Sequence, residues 1–172
     1  TSEIFAPNTN LTFNSAVLDA DSTNLIVASL SGSNYAFNNV SSYDPTSWLG
    51  IYVNNCSFNS IIAIEKASFS FSNGSTANYI SANGDVNFYS DAPITKAVFN
   101  NGNISLGYVD FTDTISSFFD TLILNNPGKI ITVSDSLTVN NLLQINGNCS
   151  AFIQLNSYST GIQAYISSSS AV

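Results

Sequence analysis

The 172-residue sequence predicts an all-β fold, a right-handed parallel β-helix of seven or eight irregular coils, on three observations. Apolar residues alternate or form short runs from end to end, and no long window carries a 3.6-residue period. The strand candidates are mostly only three to five residues long, too short to span a sandwich but sufficient for solenoid coils. An apolar residue followed by Asn-Asn and a prompt return to apolar residues recurs at Phe37-Asn38-Asn39-Val40, Val53-Asn54-Asn55-Cys56, Phe99-Asn100-Asn101-Gly102, Leu124-Asn125-Asn126-Pro127 and Val139-Asn140-Asn141-Leu142.

Taken in order, the strand candidates are residues 25–30, 50–53, 61–64, 67–72, 86–89, 97–99, 104–111, 122–124, 130–133, 137–139, 142–145, 152–155 and 161–166. The clearest is 67–72, where Ala67, Phe69 and Phe71 share one face and serines the other, as in a half-buried strand. Residues 112–119 read as a short helical turn capped by Thr112, with Ile115, Phe118 and Phe119 inward. The Asn pairs begin 16, 46, 25 and 15 residues apart, in the range of a solenoid coil when 46 is two rungs. Asn suits that geometry, because it tolerates the left-handed conformation at sharp corners and can hydrogen-bond along a stack of them. At about 22 residues a coil, rungs spaced by about 4.8 Å give a rod around 35 Å long. The alternative is an antiparallel β-sandwich, in which Asn73-Gly74, Asn83-Gly84, Asn101-Gly102 and Asn146-Gly147 mark hairpin turns.

Composition narrows the function. The chain is 44% hydrophobic, enough for one domain over residues 1–172, yet only 8% charged, with a net charge of −8. Two dozen Asn and many Ser and Thr take the place of charge. Three scattered lysines (Lys66, Lys96, Lys129) and no Arg leave no footprint for nucleic acid or an anionic bilayer. The absence of His removes Ser-His-Asp and Cys-His chemistry. No apolar run reaches the length of a membrane span, so no membrane insertion is expected. A start without Met and a close on Ser167 to Ser170 followed by Ala-Val read as an excised part of a longer protein, with flanking domains of the same chain as neighbours.

Cys56 and Cys149 lie in similar phrases, Asn55-Cys56-Ser57 and Asn148-Cys149-Ser150. They read as buried thiols at equivalent repeat positions, with a disulfide as the alternative. Six Asn-x-Ser/Thr sites are no more than this Asn-rich composition yields by chance.

In the C-terminal third, Thr121-Leu122-Ile123-Leu124-Asn125-Asn126-Pro127-Gly128-Lys129 is followed by Thr138-Val139-Asn140-Asn141-Leu142 and Gly147-Asn148-Cys149. Residues 118–166 built on these motifs resemble segments of very large secreted surface proteins of Bacteroidota, similar to gliding-motility adhesins exported by the type IX system. The resemblance implies a right-handed parallel β-helix on the bacterial cell surface, and export of a parent chain. The sequence departs from the pattern at Ser150-Ala151-Phe152, where a Pro often follows the Cys, and it carries no C-terminal sorting domain.

Few residues offer chemistry. Asp110, Asp113 and Asp120 form a sparse acidic cluster that could serve a carboxylate-based polysaccharide-degrading enzyme, but β-helix lyases rely on a basic residue beside their carboxylates and there is no Arg. No catalytic residue is assigned. Asp19-Ala20-Asp21-Ser22 has the alternating oxygens of a Ca²⁺ loop without its Gly and bidentate Glu, so Asp19 and Asp21 are weak metal candidates. Thr112-Asp113-Thr114 is the one fragment of the Thr-x-Thr array that an ice-binding solenoid requires. Residues 41–52 are different: Tyr43, Asp44, Trp48 and Tyr52 pair aromatic faces with polar groups, as a sugar site does. The expectation is a non-catalytic, extracellular adhesin segment, a structural stalk or a carbohydrate- or surface-binding module, with glycans or surfaces as partners.

Overall fold

The computed structural model describes residues 2–13, 23–33, 36–41, 48–109, 114–115, 117–125, 127–134, 136–148, 150–158 and 163–169. Among them are seventeen strands and no helix: β1 (Ser2–Phe13), β2 (Thr23–Ser33), β3 (Ala36–Ser41), β4 (Leu49–Asn54), β5 (Ser57–Ala63), β6 (Ala67–Ser72), β7 (Thr76–Ala82), β8 (Val86–Ser90), β9 (Ile94–Asn100), β10 (Ile104–Leu106), β11 (Tyr108–Val109), β12 (Thr114–Ile115), β13 (Ser117–Asn125), β14 (Ile130–Val133), β15 (Ser136–Ile145), β16 (Gln154–Ser157) and β17 (Tyr165–Ser168).

The chain winds as a parallel β-solenoid. Even-numbered strands stack in the order β2-β4-β6-β8-β10-β14-β16 and odd ones in the order β3-β5-β7-β9-β13-β15-β17, and β2 joins the two stacks. Every pairing in this sheet system is parallel, which excludes the antiparallel sandwich. Among the described residues, β11 and β12 pair antiparallel as a separate two-residue ladder, and Asn148 forms an isolated antiparallel bridge with Ala151. Five coils have a neighbour on both sides in both stacks, from β4/β5 to β14/β15, somewhat fewer than the seven or eight expected. The central coils are also tighter than about 22 residues: Leu49, Ala67, Val86 and Ile104 are successive partners, 18, 19 and 18 residues apart. The next step, Ile104 to Ile131, takes 27 because the β11–β12 excursion lies within it.

Inward side chains line up in columns because each rung repeats the register of the one below. Leu49, Ala67, Val86, Ile104 and Ile131 form one column, and Leu30, Ile51, Phe69, Phe88, Leu106 and Val133 the next, all almost fully buried. Where the columns of the two stacks meet, six phenylalanines pack against one another. Phe88 is their hub, with ring centroids 5.9 Å from Phe69 and Phe71, 6.1 Å from Phe99 and 4.9 Å from Phe119. Each such contact adds about 0.5–1.5 kcal/mol to the burial of the rings.

The odd stack departs from strict alternation on the rungs of β5, β7, β9 and β13. Its buried residues are spaced by three, Phe58 and Ile61, Ala77 and Ile80, Ile94 and Ala97, Phe119 and Leu122, leaving two consecutive residues outside. Between β13 and β15 the register shifts as well, so Asp120 lies opposite Asn140 and Asn141. The slip accounts for β7, whose Ala77-x-x-Ile80-x-Ala82 pattern matches neither a helix nor a plain strand. The helical reading of residues 112–119 is corrected where they are described: 114–115 and 117–119 are strand, in β12 and β13, and Phe118 is half-buried while Phe119 is inward; residues 112, 113 and 116 lie outside the described residues.

Asn and Gly serve the corners as the composition suggests. Asn55, Asn73 and Asn101 adopt positive φ of 51°, 51° and 62°. Asn125 Nδ2 donates to Asn100 Oδ1 at 2.8 Å and Asn146 Nδ2 to Asn125 Oδ1 at 2.5 Å, a ladder through three coils. The Asn-Gly pairs at 73, 83 and 101 lie between parallel strands of the two stacks, where hairpins were the alternative. The Gly102 backbone passes so close to Gly84 that a Cβ would lie 1.9 Å from the Gly84 carbonyl oxygen.

Two outcomes follow for stability in chemical denaturation. Phe88→Ala empties the centre of the aromatic cluster and is expected to cost about 3–5 kcal/mol. Gly102→Ala forces two rungs apart, and a loss of about 3 kcal/mol or more is expected from the backbone clash. Near-wild-type stability in either variant contradicts the rung packing described.

Candidate functional site

Around the start of the even strands β4, β6, β8, β10 and β14 lies a triplet whose middle residue enters the core: Trp48-Leu49-Gly50, Lys66-Ala67-Ser68, Asp85-Val86-Asn87, Asn103-Ile104-Ser105 and Ile130-Ile131-Thr132. The flanking residues form parallel columns on the surface, except that Gly50 is buried. Asn87, Ser105 and Thr132 are direct register partners, so an amide and two hydroxyls repeat at the rung spacing of about 4.8 Å. Beside them Asp85, Asn103 and Ile130 form a second column held by side-chain to backbone bonds. Asp85 Oδ1 accepts the Asn103 N–H at 2.9 Å, and Asn103 Oδ1 accepts the Ile130 N–H at 3.0 Å. These bonds fix the column without covering it.

Together the two columns floor an open groove of about 400 Å³ that Trp48 also lines. Trp48 is 42% exposed and Ile130 40%, so the groove is apolar at both ends of its outer column and polar between. Among the described residues that line it, Asp85 is the one charged group. An aromatic face beside amides, hydroxyls and one carboxylate is equipped to stack a sugar ring and exchange hydrogen bonds with its hydroxyls.

Of the four ligand-binding residues expected, the structure puts Trp48 in the groove. Tyr52 is outward and 48% exposed on the same sheet, in the column Ser31, Tyr52, Ser70, Tyr89 beside the groove, and does not line it. Tyr43 and Asp44 lie outside the described residues, as do Asp19, Asp21, Asp110, Asp113, Thr112 and Cys149. Asp120 is half-buried on the odd stack, away from the groove, and its Oδ1 accepts from Asn140 Nδ2 at 3.0 Å. Thr114 belongs to β12, off the main sheet. Cys56 is buried; its N–H donates to Ser75 Oγ at 3.0 Å and its Sγ lies 3.4 Å from the Asn54 carbonyl oxygen. Among the described residues no three His, Cys, Asp or Glu side chains gather as a metal site, and no helix is long and apolar enough to cross a membrane.

Sequence reasoning missed Asp85, Asn87, Asn103, Ser105, Ile130 and Thr132. Their signal is the polar–apolar–polar triplet at 85 and 103, followed by Ile130-Ile131-Thr132, which becomes a surface only once 18- and 27-residue steps are known to be single rungs. No family model, curated protein or solved structure matches the chain.

Proposed function

We propose that the chain is a non-catalytic, rod-like module of an extracellular bacterial surface adhesin that holds carbohydrate in the Trp48 groove. The observation that carries this reading is the groove itself, where an exposed indole stands at one end of a floor of in-register amide and hydroxyl groups. Three further features support it. The stacked core suits a rod that projects a site away from its attachment. The sparsely charged exterior loses little to salt, as an extracellular surface requires. The motifs of residues 121–149 resemble those of Bacteroidota surface adhesins.

Affinity electrophoresis through gels containing neutral and acidic polysaccharides, with each glycan assayed for shortened products, tests the proposal. Retardation on at least one glycan without products is expected. Trp48→Ala should weaken retention about tenfold or more, the scale of a lost aromatic anchor, while Asp120→Asn leaves it unchanged. No retardation on any glycan rejects carbohydrate binding, and product formation rejects the non-catalytic reading.

A further inference from the structure

Resting on the carbohydrate reading of the Trp48 groove, we infer that its ligand is an extended, linear β-1,4-linked glycan lying along the rod axis, with one sugar ring over each rung. This adds to that reading the linkage, the direction and the length of the chain that is bound.

Direction comes from the columns. The groove floor is built from three consecutive rungs, β8, β10 and β14, and runs across their strands. Asn87, Ser105 and Thr132 place an amide and then two hydroxyls at successive steps of about 4.8 Å. In the neighbouring column Asp85 and Asn103 each hold the following rung through one oxygen, at 2.9 and 3.0 Å, so a second polar atom on each, Asp85 Oδ2 and Asn103 Nδ2, takes no part in those bonds. Backbone bonds lock the same edge: the Ala67 N–H donates to the Asp85 carbonyl and the Val86 N–H to the Asn103 carbonyl, both at 2.9 Å. The step is therefore fixed before a ligand arrives, which removes part of the ordering cost of binding.

The step selects the chemistry. A floor that repeats one kind of contact is matched by a ligand that repeats at the same interval. A pyranose joined through equatorial bonds at its 1- and 4-positions advances by nearly the rung spacing. Such a chain stays straight, so each ring brings its hydroxyls to the same column. An axial bond at position 1, as in α-1,4-linked chains, bends the chain into a coil that leaves the columns after a ring or two. An extended peptide advances only about 3.3 Å per residue and falls out of step with the rungs. A single sugar ring engages one step of the floor and leaves the others unused.

Length follows from Trp48. Its place in the register is two rungs before Asp85, yet it lines the same groove, so the indole reaches across the level of β6. That gives one ring a stacking face ahead of the three floor rungs, and four rings fill the site.

The test runs the whole chain through affinity gels sorted by linkage, with xylan, glucomannan and hydroxyethyl cellulose as β-1,4-linked chains and soluble starch and pullulan as α-linked ones. Oligosaccharides of increasing length from the retained glycan are then titrated calorimetrically. Retardation is expected on at least one β-1,4-linked chain and on neither α-linked one, with affinity rising up to four rings and level beyond. Thr132→Ala, on the last floor rung, should weaken the tetrasaccharide about three- to tenfold, the scale of one hydrogen bond. The trisaccharide, anchored on Trp48, should bind that variant as it binds the parent chain. Should Thr132→Ala unfold, the length series on the parent chain still decides. Absence of retardation on every gel overturns the carbohydrate reading and this one together. Retardation by an α-linked chain as strong as by any β-1,4-linked one, affinity that stops rising at two rings, or equal losses for both lengths in Thr132→Ala leaves carbohydrate binding standing and overturns the extended β-1,4-linked chain.

Discussion

Everything in this molecule depends on the parallel ladder between successive rungs. Once residue 49 is bonded beside 67, 67 beside 86 and 86 beside 104, each position along a strand becomes a column. An inward column is apolar except where a buried hydroxyl finds a backbone acceptor, as Ser90 beside Phe71 donates to the Ala92 carbonyl and Ser117 beside Leu137 to the Phe88 carbonyl. A corner must admit the same turn on the next rung, which is why Asn at positive φ and closely stacked glycines recur. The core therefore demands aromatic filling where the lumen is wide, around Phe88, and alanine where it is narrow, as at Ala67, Ala82 and Ala97.

The same constraint decided what the amino acids disclosed. The even strands were legible: residues 67–72 and 130–133 coincide with β6 and β14, because each alternates without interruption. The odd strands were less so. Their phase slips break the alternation: a three-residue spacing hides β7, and a four-residue one divides β15 into two apparent strands at Asn140-Asn141. The Asn-Asn phrase was thus a sound sign of stacking with two structural meanings. At 54–55 and 100–101 it marks a corner between strands; at 140–141 it fills a slip within one.

Only the aromatic part of the site was legible. A tryptophan among turn residues is conspicuous in a sequence, whereas Asn87, Ser105 and Thr132 are ordinary members of an Asn-, Ser- and Thr-rich surface until the register aligns them. The groove is consequently a property of the stack and not of any one segment. Among the described residues its polar lining is amide, hydroxyl and carboxylate beside an indole.

The register across the groove floor is the central claim, and a paired-cysteine experiment reads it directly. Asn87 and Ser105 face outward as partners on β8 and β10, one strand spacing or about 4.8 Å apart, within the Cα reach of a disulfide. Asn87→Cys/Ser105→Cys is predicted to form an intramolecular disulfide under mild oxidation, with trypsin and mass spectrometry locating the bridge between positions 87 and 105. A double variant that folds yet keeps both thiols reduced, or bridges only between molecules, would contradict the ladder and with it the groove.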